Sequence, residues 1–338
     1  MMQVAIAVLL DSLHLLRARK MFGIALAISL AIGVAYAAIG FDAEGMTLFG
    51  FKKIPNPMMT EGSENAAAFY ILLFIDVIVR YWLAWVVILI GLISTISIFP
   101  DFLAEGSIGV SLSKPVSRPV LFLLKYLGGL MFVALQVFLL SLIAFLAIGF
   151  RIGEWNIGIF WAVPVVTFVF SLIYCVSVLA AVVTKSTAFS LIAGLGIWGF
   201  SLLVQWGEDL TYKFGVMMPE MGATVDVSTG QTKVAEEGDG GGARSWQRTF
   251  EGIMTPLPKT RACTLWLKRL IVFDDRESPL QGMDLGMVLT GAGDDPQMRE
   301  LMVKYEARHS AWYVFGTSAL FQAVVLGLAI TLFSRRDY

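Results

Sequence analysis

Few side chains in this 338-residue sequence stand at spacings that support chemistry. His14 and His309 are the only histidines, and Cys175 and Cys263 the only cysteines. They form no HExxH or Cys/His pattern, so no metal site and no cofactor is expected. Asp274-Asp275, Glu277 and Asp294-Asp295 gather carboxylates without the loop spacing of an EF-hand, and read as a solvated face. The run Gly238-Asp239-Gly240-Gly241-Gly242 is followed by Ala243-Arg244 rather than Lys-Ser/Thr, so it is a linker and not a phosphate loop. The chain is not expected to hydrolyse ATP itself, and no acid/base constellation marks it as a membrane-embedded enzyme.

Two polar arrangements and one segment remain. Asp76 and Arg80, four residues apart, share a helical face and read as an ion pair at the outer membrane surface. Gln136 and Gln205 interrupt apolar runs, where a polar group lines a path or bonds between helices. The segment from Pro100 to Arg118 is polar at its ends, with Leu103, Ile108, Val110 and Leu112 between. Pro100 is expected to end or kink the preceding helix, and Ser117 to cap a helix beginning at Pro119. Physically the segment is either a docking surface for a cytosolic partner or a re-entrant turn resting on the membrane.

The elements that position these residues are transmembrane helices. Hydrophobic residues make up 57% of the chain and charged ones 15%, where soluble domains hold about 25% charged. Apolar runs near the length of about 20 residues that a bilayer needs recur along it. The predicted spans are Met21–Ile39, about Tyr81–Phe99, Pro119–Phe150, Ile159–Val183, Thr187–Trp206 and Ala311–Phe333. Phe69–Phe99 is too long for one perpendicular crossing, so its first third is placed at or above the surface. Ala35-Tyr36-Ala37 resembles a signal-peptide cleavage site, but an uncleaved first helix fits the later spans better. Before it, Ile6, Leu9, Leu10, Leu13 and Leu16 mark one face of an amphipathic helix expected to lie in the interface. The expected fold is thus an all-α membrane protein of about six transmembrane helices with an N-terminal interfacial helix. Its organisation is a five-helix region (1–206, with the bridge at 100–118), a segment at 207–310, and a last span and tail (311–338).

Charge sets the orientation. With six spans, one side collects Arg17, Arg19, Lys20, Lys114, Arg118, Lys125, Lys185, Arg335 and Arg336, nine in all. The other side's short segments hold only Lys52, Lys53, Arg80 and Arg151. Basic residues in short loops stay cytoplasmic, which puts both termini and the 100–118 bridge in the cytosol of a plasma (inner) membrane protein. Residues 207–310 then fall outside, with 12 basic and 16 acidic residues and a flexible glycine-rich linker at 236–245. The chain's net charge of −1 argues against a nucleic-acid partner.

The bridge carries a resemblance. Asp101, then Glu105-Gly106, then Leu112-Ser113-Lys114-Pro115-Val116-Ser117-Arg118, with Lys125-Tyr126-Leu127-Gly128 beyond, resembles the cytoplasmic signature of the type-2 ABC transporter permeases. Pro256-Leu257-Pro258-Lys259 resembles that family more weakly, and the 207–310 segment is longer than the family's usual one. The resemblance implies a permease subunit of an ABC exporter, dimeric (homo or hetero), embedded in the lipid bilayer. It implies a separate cytosolic ATP-binding subunit docking through Asp101, Glu105, Gly106, Lys114, Pro115, Ser117 and Arg118. The alternative is a polytopic scaffold or assembly factor whose external segment binds a partner protein.

Overall fold

A computed structural model of the protein describes residues 20–55, 59–104, 117–217, 223–225, 232–234, 241–271 and 296–336. The amphipathic 1–19 stretch, Glu105, Gly106, Lys114 and Pro115, residues 236–240 and the 274–295 carboxylates lie outside the described residues. The architecture is that of a multi-pass, essentially all-helical membrane protein.

Helix α1 (Lys20–Ala37) leads into a three-stranded antiparallel sheet of β1 (Ile39–Asp42), β2 (Gly45–Leu48) and β3 (Lys52–Pro55). The sequence reading of a plain polar loop at 40–68 is corrected here. Ile39 pairs with Leu48 and Leu48 with Lys52, and Phe49-Gly50 turn between strands with positive φ. Helix α2 then runs over Glu64–Phe102, α3 over Arg118–Ile152, α4 over Ala162–Thr184 and α5 over Thr187–Tyr212. After a hairpin of β4 (Ala223–Val225) and β5 (Thr232–Val234) come α6 (Gly241–Met254), α7 (Thr260–Leu270) and α8 (Pro296–Ala307). Helix α9 (Thr317–Arg335) closes the chain. Gly241–Ser245, half of the glycine-rich stretch read as a linker, thus opens a helix.

Five helical segments among the described residues are long and apolar enough to cross a membrane; α1, apolar over Gly23–Ala37, is shorter. Helix α4 is the hub, packing on α3, α5, α7 and α9, and its apolar window is 78% buried. The corresponding windows of α5 and α9 are only 33% and 17% buried, so these helices carry much of the apolar surface left for lipid. A polar knot crosses the middle of the bundle. Tyr126 donates to the Ser171 carbonyl (2.9 Å) and Gln322 to the Tyr126 hydroxyl (3.3 Å), joining α3, α4 and α9.

Helix α2 departs from its expected form. It is continuous from Glu64, so no separate surface piece precedes the span, and Leu73–Val87 winds as a wide π-helix. Lower down, the helical run breaks after Thr95 and resumes at Ile98–Phe102. Pro100 accounts for this, because its ring opposes the carbonyl four residues back, at Ile96. Beyond the bridge, Ser117 is the N-cap of α3 with extended backbone, and the helix begins at Arg118, one residue earlier than expected. The Ser117 hydroxyl makes no capping bond; its carbonyl accepts from Leu121 (3.0 Å).

Candidate functional site

The wide turn of α2 has a direct consequence. Ile75-Asp76, Val79-Arg80 and Ala84-Trp85 recur every four to five residues, a period longer than the 3.6 of an α-helix. The wound segment therefore turns all three pairs towards one cavity of about 210 Å3, formed together with α5, α7 and α8 and open on one side. Its floor is aromatic: Trp85 lies 5.4 Å from Trp198 and 6.1 Å from Trp206, centroid to centroid. Trp198, Leu202 and Trp206 follow one another at i, i+4 and i+8, one stripe of α5.

Charged side chains surround the cavity. Asp76 is buried and Arg80 half-exposed, with Nη1 3.5 Å from Oδ1, so the anticipated pair forms one wall. Lys268 of α7 meets Glu306 of α8 at 2.8 Å. Arg261, at the start of α7, reaches Asp209 at 2.8 Å, and Lys213 sits 5.3 Å from the Tyr305 ring centroid. The hydroxyl of Thr260 on the wall is buried and finds no hydrogen-bond partner among the described residues.

Behind this wall lies a dense ionic cluster that the sequence reading did not anticipate. Glu208 and Asp209, adjacent in the last turns of α5, are both buried. Arg308 donates to Glu208 Oε2 (2.5 Å) and to Asp209 Oδ1, between the rings of Tyr305 (4.1 Å) and Tyr212 (5.1 Å). The Tyr305 hydroxyl also donates to Asp209 Oδ1 (2.7 Å). His309 Nε2 accepts from Arg308 Nε at 3.2 Å and lies 3.7 Å from Glu208 Oε2. Two carboxylates against Arg261 and Arg308 leave the cluster formally neutral. His309, read as the mere end of a loop, is a member of it.

The two glutamines prove to be interhelical ties. Gln136 Nε2 donates to the Ser29 hydroxyl at 2.6 Å and fixes α1 on α3. Gln205 accepts from the backbone amides of Arg261 (3.1 Å) and Ala262 (3.2 Å), and so satisfies two of the orphan donors at the start of α7. Both side chains thus make hydrogen bonds between helices.

The Pro256–Lys259 turn is held between α5 and α9. Lys259 is fully buried, and Nζ donates to the Thr255 carbonyl (2.9 Å) and the Thr317 hydroxyl (2.6 Å), 4.6 Å from the Tyr313 ring centroid. Burial pulls its ammonium down to about 8, and one turn on pushes the buried Cys263 thiol up to about 12. Their effects on stability oppose each other. An unfolded lysine keeps its proton to about 10.4, so stability rises with pH from 8 towards 10.4. An unfolded thiol ionises near 8.5, so the cysteine contribution falls as pH rises from about 8.5 towards 12. Lys259→Met removes the first, together with the pull of its charge on Cys263. The stability difference between wild type and this variant, from unfolding titrations in detergent, should be flat below pH 8 and climb in favour of wild type above it. A difference independent of pH would show that Lys259 is not held in a dry site.

At the opposite end of the bundle the flanks of the 105–116 bridge are firmly anchored. Phe99 packs in a tilted pair with Phe122 (centroids 5.0 Å apart) and Phe102 with Phe333 (5.8 Å), joining α2, α3 and α9. Arg118 Nη1 donates to the carbonyls of Ser334 (3.1 Å) and Arg336 (3.0 Å). Arg336 in turn donates to Val182 (2.5 Å) and Val183 (3.3 Å), beside the left-handed Lys185 that turns α4 into α5. Asp101 is exposed at this end. Comparison of the chain with protein-family models, curated proteins and solved structures finds no match.

Proposed function

We propose that the chain is the membrane-spanning permease subunit of an ABC-type exporter, driven by ATP hydrolysed in a separate cytosolic subunit. In this reading α1 is the sixth span, both termini are cytoplasmic, the membrane is the plasma (inner) membrane and two permeases pair. The observation that carries it is the fixed platform at the bridge end. Arg118, Arg336 and the Phe99/Phe102/Phe122/Phe333 cluster bind the flanks of the bridge to α3, α4 and α9. A load applied to the bridge therefore passes into several helices at once, as coupling to an ATPase requires. The resemblance of Asp101–Arg118 to the type-2 signature supplies the identity of the partner. That α7 packs on α2, α4 and α5 rather than standing clear of the bundle favours a transport role over a detachable partner-binding module.

The test is capture. Tagged chain purified from its native membrane should bring down a protein carrying a GxxxxGK[ST] motif, and Glu105→Lys should abolish the capture while leaving the chain folded. Arg118→Glu should do the same with some loss of stability, because Arg118 also ties the tail. Capture of no such ATPase, or capture unchanged by Glu105→Lys, overturns the reading.

A further inference from the structure

We propose that the turn Phe49–Phe51, between β2 and β3, is a membrane contact that seats both phenylalanines in the headgroup layer at the C-terminal end of α1. The first sign is a double cost at one place. Phe51 is 91% exposed and Phe49 57%. Phe49 also holds φ at +54°, beside Gly50 at +69°, and the Phe51 N–H donates to the Leu48 carbonyl (3.2 Å) to close the turn. Glycine enters that region freely, whereas a bulky side chain enters it under strain. In water an exposed ring gains nothing there, and Asn or Gly would suit the backbone better. Strain kept at an exposed aromatic residue points to a contact made by that residue.

The place of the turn identifies the surface that it meets. The Phe49 N–H donates to the Ala38 carbonyl (2.8 Å), and the Ala38 N–H to Val34 in the last turn of α1 (2.8 Å). The turn is therefore held one residue beyond an apolar helix whose Ile24, Ile28 and Val34 are exposed, as lipid-facing side chains are. Arg151 Nη2 donates to the Ala37 carbonyl (3.4 Å), which brings the end of α3 to the same level. There Phe150 is strongly exposed, and Trp155, edge-on to it at 5.2 Å, is half-exposed. Aromatic side chains gathered where apolar helices end mark the boundary between acyl chains and water.

The sheet is graded in the same direction. Ile39 and Leu48 face each other at the end held on Ala38, next to the two phenylalanines. At the far end Asp42 stands opposite Gly45, and Lys53 binds Asp42 (2.9 Å) and Glu44 (3.2 Å). Lys52, exposed next to Phe51, is long enough to lay its stem on apolar surface and keep its ammonium in water. An apolar tip with charged groups above it matches the passage from acyl chains to water. A flat protein partner would call for no such gradient.

The contact depends neither on the permease reading nor on which side of the membrane the sheet lies. The experiment places an NBD fluorophore on Lys52→Cys, which keeps both phenylalanines, in the full-length chain in phosphatidylcholine vesicles. Cys175 and Cys263 are buried, and the wild type gives the labelling background. Glu61→Cys is the control, exposed at the charged end of the sheet, where the Glu61 N–H donates to the Asp42 carbonyl (3.1 Å). The label at 52 should lose emission to phosphatidylcholine carrying a doxyl group near the top of its acyl chain, and be shielded from iodide supplied on both faces. The label at 61 should do the reverse. Phe49→Asn with Phe51→Ser removes only exposed rings and suits the turn, so the chain should fold, and the label at 52 should then behave like the label at 61. Lipid quenching no stronger at 52 than at 61 would overturn the proposal, whether the label is open to iodide or shielded from both quenchers by a covering protein. So would lipid quenching unchanged by the Phe49→Asn and Phe51→Ser pair. ATPase capture is read separately, so failure of one leaves the other standing.

Discussion

Arg308→Met should destabilise the folded chain by about 3–5 kcal/mol, the cost of removing one partner from a buried ion pair. Arg308 bonds both Glu208 and Asp209, and those carboxylates are 1% and 5% exposed. Without the guanidinium, Asp209 keeps Arg261 and Tyr305, but Glu208 is left with only His309, at 3.7 Å. An uncompensated carboxylate then has to be protonated or rehydrated, and either route loosens the end of α5 from the segment that leads into α9. Glu208→Gln combined with Arg308→Met should recover much of the loss, since the orphaned charge goes with the partner. Unfolding midpoints in detergent, read for the three proteins together, decide the matter. If Arg308→Met unfolds with wild type, the cluster is not a clamp.

That cluster also shows where sequence reading stops. The spans were legible because bilayer crossing demands long apolar runs, and α3, α4 and α5 begin within a few residues of the expected positions. Pro100 announced the break in α2 through a local steric rule, and Asp76 announced Arg80 through helical spacing. Glu208 and Asp209, by contrast, looked like the solvated start of a polar segment, and the fifth span was ended at Trp206. Their partners lie about 50 and 100 residues further on, at Arg261 and Arg308. No local pattern joins such residues; only the folding of α7 and α8 back onto the bundle does. Gln205 was legible as buried but not as a cap, because its acceptor serves amides more than 50 residues away. The cavity was invisible for the same reason. Its tryptophan stripe is readable on α5, whereas the wide turn of α2 and the basic wall of α7 are not.

Gly129→Leu should cost about 3 kcal/mol or more, at the upper end of what overpacking a core produces. Helices α3 and α4 meet here at the hub of the bundle. A Cβ placed on Gly129 would stand 2.8 Å from Cε1 and from Oη of Tyr174, and 2.9 Å from Cζ. A flexible side chain would swing aside, but this ring has nowhere to go. Tyr174 lies nearly parallel to Tyr126 on one contact and to Phe170 on another, at centroid distances of 5.3 and 5.2 Å, with Phe99 at 6.4 Å. The helices must therefore separate, and in lipid their association rests on close packing rather than on exclusion of water. Separation would also stretch the Tyr126–Ser171 bond and the Gln322 contact that bring in α9. Gly199→Leu is the matched control, because a Cβ there meets no atom within 4 Å on the outer face of α5. Leucine exceeds glycine in helix propensity by about 0.5–1 kcal/mol at either site, so this variant should be as stable as wild type or more so. Unfolding midpoints for the pair isolate the steric contribution. Similar midpoints for the two variants would mean that α3 and α4 do not approach as closely as the Gly129–Tyr174 contact requires.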